Sequence, residues 1–254
     1  MGRIKSVERA LEVLEILTNN PHGLGVTELS LKLDIAKSTS HRLLNTLSAY
    51  NYVSKDEQTD NYFIGTRVLY IANELLENLN LVNLAKDKIN QLSETSNETV
   101  HLCLFDSDEV VYIDKVDSNK SIRMHSKIGK RSPMHSTGVG KAILAFLPNE
   151  EPKKILQTKN MNKFTENTIT SISQMMIELE DINKKGYAID DIENEEGVRC
   201  VAAPIFNHIN KPVAAISISG PSNRITLERI QSNLGKDIID TANFISKKLG
   251  NNNV

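Results

Sequence analysis

A cluster of polar and basic residues between positions 37 and 45 has side chains suited to contact with DNA. Arginine can donate two hydrogen bonds to a guanine or bind a phosphate, whereas serine and threonine hydroxyls suit phosphate oxygens. The free amides at a helix start point at phosphates as well. The cluster consists of Lys37, Ser38, Thr39, His41, Arg42 and Asn45. For any single residue, the simpler interpretation as the solvated face of a helix remains open.

Three short helices are predicted to hold this cluster in place. Apolar residues at helical spacing predict a first helix that Ser6 can cap, and Thr27 is a suitable N-cap for a second. Val26 and Leu31 would form a hydrophobic staple across that start. Two helices around a tight turn are typical of a helix-turn-helix that places its second helix in the major groove. The inward positions are predicted to be Val7, Ala10, Leu11, Leu14 and Leu17 in the first helix, Leu29 and Leu33 in the second, and Ser40, Leu43, Leu44 and Leu47 in the third.

A hairpin is predicted to follow the third helix. Residues 52–55 and 61–64 are apolar or β-prone runs on either side of the polar turn 56–60. This wing would carry Lys55, which we include among the DNA-binding residues. A winged helix-turn-helix domain over residues 1–65 is therefore expected.

The overall charge of the chain excludes nucleic-acid binding that depends only on an excess of basic residues. The chain has 30 basic and 32 acidic residues and a net charge of −2. Residues 1–67 contain as many acidic as basic side chains. Affinity for double-stranded operator DNA must therefore come from the placement of charges rather than from their number.

A linker helix is predicted over residues 66–80. Val68, Ala72, Leu75 and Leu79 repeat with a 4-3-4 spacing, which favours a seam for a second copy of the chain. The alternative is that this helix packs on its own domain.

The remaining residues, 81–254, predict an α+β domain. Alternating runs at 101–105, 109–114, 121–125, 187–192, 201–206 and 213–219 indicate strands of an antiparallel sheet, with helices on both sides in sequence. No apolar run is long enough to span a bilayer, and the N-terminus leads into a charged amphipathic helix, so a cytoplasmic location is expected.

Several possible chemistries in this domain have weak support. Cys103 and Cys200 match no metal or redox spacing, which favours reduced buried thiols. His101 and Cys103 share a strand face and could bind a metal together with His125 or His135, but two ligands at i and i+2 are weak evidence, and we predict neither metal nor cofactor. The segment 138–141 resembles the end of a phosphate-binding loop, although His135 stands where the first glycine would be. Lys130, Arg131 and Arg199 are interpreted as surface charges.

Three ordered segments, together with the N-terminal domain, carry a resemblance over nearly the whole chain. They are residues 133–142, 197–204 and 215–221, which read PMHSTGVGKA, GVRCVAAP and AISISGP. The chain resembles the IclR-type bacterial transcriptional regulators. In the turn before the recognition helix, Asp34 stands where the family has glycine, and since aspartate tolerates a left-handed conformation, the turn is expected to survive. Ser40 stands where valine is common, which is expected to weaken packing slightly.

The resemblance implies a GAF-like effector-binding domain, homodimers or homotetramers, and operator binding altered by a small metabolite. Glycines allow a ligand to approach a helix start, two serines on one strand face can donate to a carboxylate, and Asp190 can accept from a hydroxyl. A hydroxy, keto or sugar acid is therefore expected as effector, with repression as the mode. The alternative is a metabolic enzyme with an accessory winged helix, in which Cys200 and Asp190 carry the chemistry. The implied effector site comprises Met124, Gly138, Val139, Asp190, Val198, Cys200, Ser217 and Ser219.

Overall fold

The computed structural model describes residues 2–78, 80–120, 126–148 and 150–253. It divides into two compact units, Met1–Leu79 and Asn80–Val254. In the described ranges, no helix is long and apolar enough to cross a membrane. The fold class is α+β, as expected.

Within residues 2–78, the first unit contains four helices and a two-stranded hairpin. The elements are α1 (Lys5–Thr18), α2 (Val26–Lys32), α3 (Lys37–Ala49), β1 (Val53–Lys55), β2 (Tyr62–Ile64) and α4 (Arg67–Asn78). The strands β1 and β2 are antiparallel, and Val53 pairs with Ile64. Leu24 forms a further bridge with Tyr62, which ties the segment before α2 to the wing.

The core of the first unit joins α1, α2, α3 and the hairpin. Its fully enclosed side chains are Val13, Leu17, Leu24, Leu29, Leu44, Val53 and Tyr62. The predicted stripe on α1 is therefore only partly correct, because Val7 and Leu11 are 52% and 56% exposed and Val13 is buried in their place.

The start of α2 differs from the prediction. The N-cap is Gly25 rather than Thr27, and its amide donates to the Glu28 carboxylate at 3.1 Å. The predicted staple is wrong for the same reason, because with Gly25 as the N-cap the N′ and N4 positions are Leu24 and Leu29, which are both buried, whereas Leu31 is 77% exposed.

In the part of the chain that the structure describes, the second unit is built around a six-stranded antiparallel sheet. Its strands are β3 (Thr99–Asp106), β4 (Glu109–Val116), β5 (Arg131–Pro133), β6 (Ala188–Asp191), β7 (Val198–Phe206) and β8 (Pro212–Pro221). They lie side by side in the order β5-β4-β3-β8-β7-β6. The strand β5 was not predicted, since its sequence Arg-Ser-Pro has no apolar alternation. The predicted strand at 121–125 lies outside the described residues.

Helices cover this sheet. They are α5 (Asn80–Ser96), α6 (Gly138–Leu144), α7 (Glu151–Thr158), α8 (Ile172–Lys185), α9 (Leu227–Arg229) and α10 (Gly235–Lys248), with a π-helical turn at Ile230–Leu234 between the last two. All seven residues of α6 are buried. A side chain on Gly140 would collide with the Met134 backbone, so only glycine allows α6 to lie this close to the preceding loop.

Candidate DNA-binding surface and ligand cavity

The polar cluster of α3 lies on an accessible helix face. Lys37, Ser38, His41, Arg42 and Asn45 are exposed, and Thr39 is half-buried. The opposite face packs in the core through Ser40 and Leu44, both fully buried. The residue types and positions therefore suit a helix that presents hydrogen-bonding groups to a groove.

The turn between α2 and α3 fixes the direction of the recognition helix. Asp34 has φ +50°, a left-handed conformation that aspartate adopts more readily than most residues. The amide of Ile35 donates to the Ser30 carbonyl at 3.1 Å, which closes the turn. The expectation that aspartate preserves this turn is confirmed.

In the wing, Lys55 has a partner within the chain. Its Nζ lies 2.5 Å from Asp60 Oδ1 and 5.8 Å from the centre of the Tyr62 ring. The hydrogen bond to Asp60 raises the pKa of Lys55 above its usual value. Both side chains are largely exposed, so a phosphate can compete with Asp60 for the ammonium group.

In the second unit, seven of the eight implied effector positions line one cavity. They are Gly138, Val139, Asp190, Val198, Cys200, Ser217 and Ser219. Met124 lies outside the described residues. The cavity has a volume of about 50 Å³.

Strand register explains why these distant positions meet. Asp190 pairs with Cys200 across β6 and β7, and Cys200 pairs with Ser219 across β7 and β8. Ser217, two residues before Ser219, therefore lies on the same face of the sheet. Gly138 at the start of α6 packs over this face, because a Cβ there would lie 3.4 Å from the Ala202 methyl group and 3.7 Å from Asp190 Cβ.

His101 completes the polar floor of the cavity. It pairs with Ser217 across β3 and β8. Its Nδ1 lies 3.5 Å from Ser217 Oγ and 3.3 Å from Ser219 Oγ, and its Nε2 lies 2.7 Å from Ser126 Oγ. Burial lowers the pKa of His101 to about 3, so the imidazole is neutral at physiological pH and has one donor and one acceptor nitrogen.

Asp190 is a carboxylate whose pKa is strongly shifted by this environment. Burial raises its pKa to about 7, although its Oδ1 accepts hydrogen bonds from the Glu193 and Asn194 amides at 2.8 and 3.3 Å. Near neutral pH a substantial fraction of Asp190 is therefore protonated and can donate a hydrogen bond.

The cysteines have no features of a nucleophile or a metal ligand. Burial raises the pKa of both the Cys103 and the Cys200 thiols, so the thiolate form is disfavoured. Across the described ranges, no group of three or more His, Cys, Asp or Glu residues could hold a metal ion.

Several residues around the cavity were not assigned to it from sequence. His101 was noted only as a possible metal ligand, and Lys130 was interpreted as a surface charge. Strand alternation could have placed His101 on the correct face, but its partner strand could not be read from the chain. The additional lining residues are His101, Tyr112, Ser126, Lys130, Ser132, Thr137, Asn194 and Glu195.

The interpretation of Arg199 as a surface charge is wrong. Its side chain is 13% exposed, and its guanidinium group lies 2.7 Å from Asp191 Oδ1 and donates to the carbonyls of Ser222 and Ile225. Arg131 is exposed, as expected, and pairs with Asp106 and Glu109.

A winged helix-turn-helix joined to an α+β unit with an internal polar cavity is the architecture of a DNA-binding transcriptional regulator. Residues 6–57 match the IclR helix-turn-helix domain. Residues 73–247 match the C-terminal domain of the bacterial transcriptional regulator IclR. The chain therefore belongs to the IclR family of bacterial transcriptional regulators.

Individual relatives cover nearly the whole chain. The HTH-type transcriptional regulator KdgR of Escherichia coli K12 is 36% identical over 228 residues, which are 90% of this chain and 86% of that protein. The transcriptional repressor IclR of the same strain is 34% identical over 251 residues, with 98% and 91% covered. The crystal structure of Thermotoga maritima IclR superposes with a TM-score of 0.81 at 35% identity, covering 98% of this chain and all of that one. Since the family and these relatives are transcriptional regulators, the alternative of a metabolic enzyme is wrong.

Proposed function

We propose that this regulator represses transcription and that a small organic acid controls its binding to an operator. The observation that carries the proposal is the convergence of the seven effector positions on one buried polar cavity, in a chain whose other unit presents an exposed recognition helix. Similarity to a protein named transcriptional repressor IclR supports repression as the mode.

In this proposal, DNA is bound by the exposed face of α3 and by the wing. Arg42, His41 and Asn45 lie at positions suited to base edges, whereas Ser38 and Thr39 at the helix start suit phosphates. Lys37 and Lys55 add charge on either side. The proposed domains are residues 1–65 for DNA binding, residues 66–80 for the linker helix and residues 81–254 for effector binding.

The cavity chemistry favours a ligand with a carboxylate and a hydroxyl or keto oxygen. Ser217 and Ser219 offer two hydroxyls side by side, and a protonated Asp190 can donate a further hydrogen bond to a carboxylate. Lys130, at the exposed edge of the lining, offers a positive charge. Val139 and Val198 would contact the carbon skeleton.

The size of the cavity suggests how the ligand acts. A volume of about 50 Å³ holds only one or two water molecules, so a hydroxy or sugar acid must displace part of the wall when it binds. A ligand that binds one arrangement of the wall better than another shifts the population toward it. The linker helix of a homodimer or homotetramer would transmit this shift to two recognition helices.

The test is a gel shift of the purified chain against DNA from its own promoter, with pyruvate, lactate and gluconate added separately. We expect a specific complex that one of these acid classes weakens and that the corresponding uncharged amides leave intact. If the Ser217→Ala, Ser219→Ala double variant still binds DNA and responds to the acid as the wild type does, the cavity is not the effector site.

A further inference from the structure

Lys141 is a buried cation of α6 that has no part in the functions described above. Its side chain is 1% exposed, and its Nζ lies 2.5 Å from Glu193 Oε1 and 2.9 Å from Glu178 Oε1. Burial lowers the pKa of Lys141, but the two carboxylates outweigh this effect and raise the pKa above its usual value, so the ammonium group stays charged. A buried ion pair is favourable only in a narrow geometry, so Lys141 constrains the position of Glu193.

Glu193 belongs to a turn that forms part of the ligand cavity. This turn, residues 190–194, is called the cavity turn below, and it supplies Asp190 and Asn194 to the cavity lining. Asp190 Oδ1 accepts hydrogen bonds from the amides of Glu193 and Asn194 at 2.8 and 3.3 Å. A displacement of Glu193 would therefore also displace the carboxyl group of Asp190.

The backbone of the cavity turn is strained at Ile192. This residue has φ +61°, a left-handed conformation that is unfavourable for a β-branched side chain. Such a conformation persists only where the surrounding structure holds it. The Thr165 hydroxyl donates to the Ile192 carbonyl, and the Thr168 hydroxyl donates to the Glu193 carbonyl, both at 2.6 Å. These contacts restrain the backbone of the turn, and the ion pair with Lys141 restrains the Glu193 side chain.

The same ion pair connects two walls of the cavity. Gly138 and Val139 line the cavity from the first turn of α6. Lys141 follows Gly138 by three residues, so both lie on one face of the helix. Gly138 packs against the cavity turn, because a Cβ there would lie 3.6 Å from the Asp190 amide nitrogen. The bond between Lys141 and Glu193 therefore holds α6 and the cavity turn at a fixed spacing.

We propose that Lys141 is a positioning residue of the effector site, which through its ion pair with Glu193 holds the cavity turn in the arrangement that binds an acid. This role rests on the proposed function, in which the cavity binds the effector. Lys141 acts through Glu193, since it is not among the described residues that line the cavity. When the ion pair is lost, the strain at Ile192 drives the turn toward another arrangement, and Asp190 leaves its place in the lining.

The first experiment is hydrogen exchange of the full chain without ligand, read at the amides of residues 193 and 194. We expect Lys141→Met to lower the protection of these two amides roughly ten-fold or more, because a charge-assisted hydrogen bond to the turn is lost. Amides in the centre of β8 should keep their wild-type protection. The matched control Glu178→Gln removes the other partner of Lys141 but keeps the pair with Glu193, so it should change protection by less than about two-fold.

A double variant covers the case in which Lys141→Met does not fold. Removal of one partner of a buried pair leaves an uncompensated charge, whereas removal of both charges does not. The double variant Lys141→Met, Glu193→Gln should therefore fold and show the same loss of protection at residues 193 and 194.

Relief of the strain at Ile192 distinguishes positioning from a general loss of stability. Asparagine adopts the left-handed conformation more readily than isoleucine, so Ile192→Asn removes the strain that the ion pair offsets. Added to either Lys141 variant, it should restore most of the protection at residues 193 and 194, and in the wild type it should change little. Equal loss of protection in β8, without recovery through Ile192→Asn, would mean that Lys141 only stabilises the fold.

The second experiment is calorimetry of the same variants with gluconate. If the binding arrangement of the turn falls to about a tenth of the population, the apparent affinity falls about ten-fold. We expect this loss in the Lys141 variants, recovery with Ile192→Asn, and wild-type affinity in Glu178→Gln.

Two results would overturn the positioning role of Lys141. They are unchanged protection of residues 193 and 194 in the Lys141 variants, and unchanged gluconate affinity in variants that have lost this protection. A wild-type chain that bound none of gluconate, pyruvate and lactate would instead contradict the proposed function. The exchange results would then still decide whether Lys141 holds the cavity turn.

Discussion

At the scale of single residues, Arg42 is the side chain of α3 with the greatest capacity to read a base. It is exposed on the proposed DNA-binding face and can form two parallel hydrogen bonds with guanine. We expect Arg42→Ala to weaken specific operator binding by roughly 1–3 kcal/mol and to relax the preference for one base pair. Fluorescence anisotropy on the operator and on single-base variants of it measures both effects.

The salt dependence of the same variant distinguishes a base contact from a phosphate contact. If Arg42 binds a phosphate, affinity falls equally for all sequences and the slope of log affinity against log salt decreases by about 1. Lys247→Ala, an exposed charge on α10, serves as the control and should change neither quantity. An Arg42→Ala variant with unchanged affinity and slope would place Arg42 outside the interface.

Asp190 gives the proposed effector site a dependence on pH. Burial raises its pKa to about 7, so below that pH the neutral carboxyl can donate to a ligand carboxylate, and above it two negative charges repel. We expect the affinity for an acid such as gluconate to fall as the pH rises through about 7. Titration calorimetry at a series of pH values around 7 measures this decline.

The Asp190→Asn variant should remove this dependence, because asparagine donates a hydrogen bond at every pH. The raised pKa also means that the contribution of Asp190 to folding stability is greatest below the usual pKa of 3.8 and is lost as the pH rises to about 7. The control is Asp240→Asn, which replaces an exposed carboxylate on α10. If Asp190→Asn retained the wild-type dependence of gluconate affinity on pH, Asp190 would not be the group that titrates.

The position of His101 was predictable from the sequence, but its role was not. The side-chain pattern correctly placed His101 and Cys103 on one strand face, but it suggested metal binding. The hydrogen bonds of His101 to serines on β8 depend on a pairing between residues more than a hundred positions apart. Local patterns contain no information on that pairing, so the role of His101 could be found only from the register.

At the scale of elements, α3 contains a buried hydroxyl whose effect on the stability of the helix can be measured. Ser40 is fully buried, and its Oγ has no hydrogen-bond partner in the described part of the chain. A buried unpaired hydroxyl costs free energy, and alanine is the better helix former. We expect Ser40→Ala to raise the free energy of local unfolding of α3 by about 1 kcal/mol.

Hydrogen exchange of the α3 amides in the full chain measures this change locally. Ser38→Ala, in the exposed first turn of the same helix, is the control and should change exchange by less than about 0.5 kcal/mol. Faster exchange in Ser40→Ala would mean that the hydroxyl contributes a stabilising contact.

The elements themselves were more predictable than their ends. Periodicity identified α1, α3, α8 and the long strands, since apolar spacing records which face is buried. The start of α2 was misplaced because Gly25 has no side chain to act as a cap, and only the Glu28 carboxylate three residues later marks it. The short strand β5 was missed because its pairing with β4 creates it, and its three residues have no strand pattern.

At the scale of the whole molecule, exposed apolar residues of the first unit favour association of two copies. Ile4, the N-cap residue of α1, is 67% exposed, and Val7 and Leu11 on α1 are 52% and 56% exposed. On α4, Leu69 and Ile71 are 73% and 43% exposed. Four residues of the linker helix were predicted to form a seam for a second copy. Val68 is half-buried and Ala72 is exposed. The side chain of Leu75 is not described, and Leu79 lies outside the described residues. The linker seam therefore remains a prediction, and the apolar surface of α4 includes Leu69 and Ile71 as well.

A charge placed on α4 tests this association. We expect Leu69→Asp to shift the chain from dimer toward monomer in sedimentation equilibrium, because a carboxylate in an apolar interface must be desolvated. Ile209→Asp, at a 68% exposed position between β7 and β8, is the control and should leave the dimer intact. A monomer has one recognition helix for an operator with two half-sites, so Leu69→Asp should also lose the steep dependence of DNA binding on protein concentration. If Ile209→Asp dissociated the protein and Leu69→Asp did not, the copies would associate through the C-terminal unit rather than through α4.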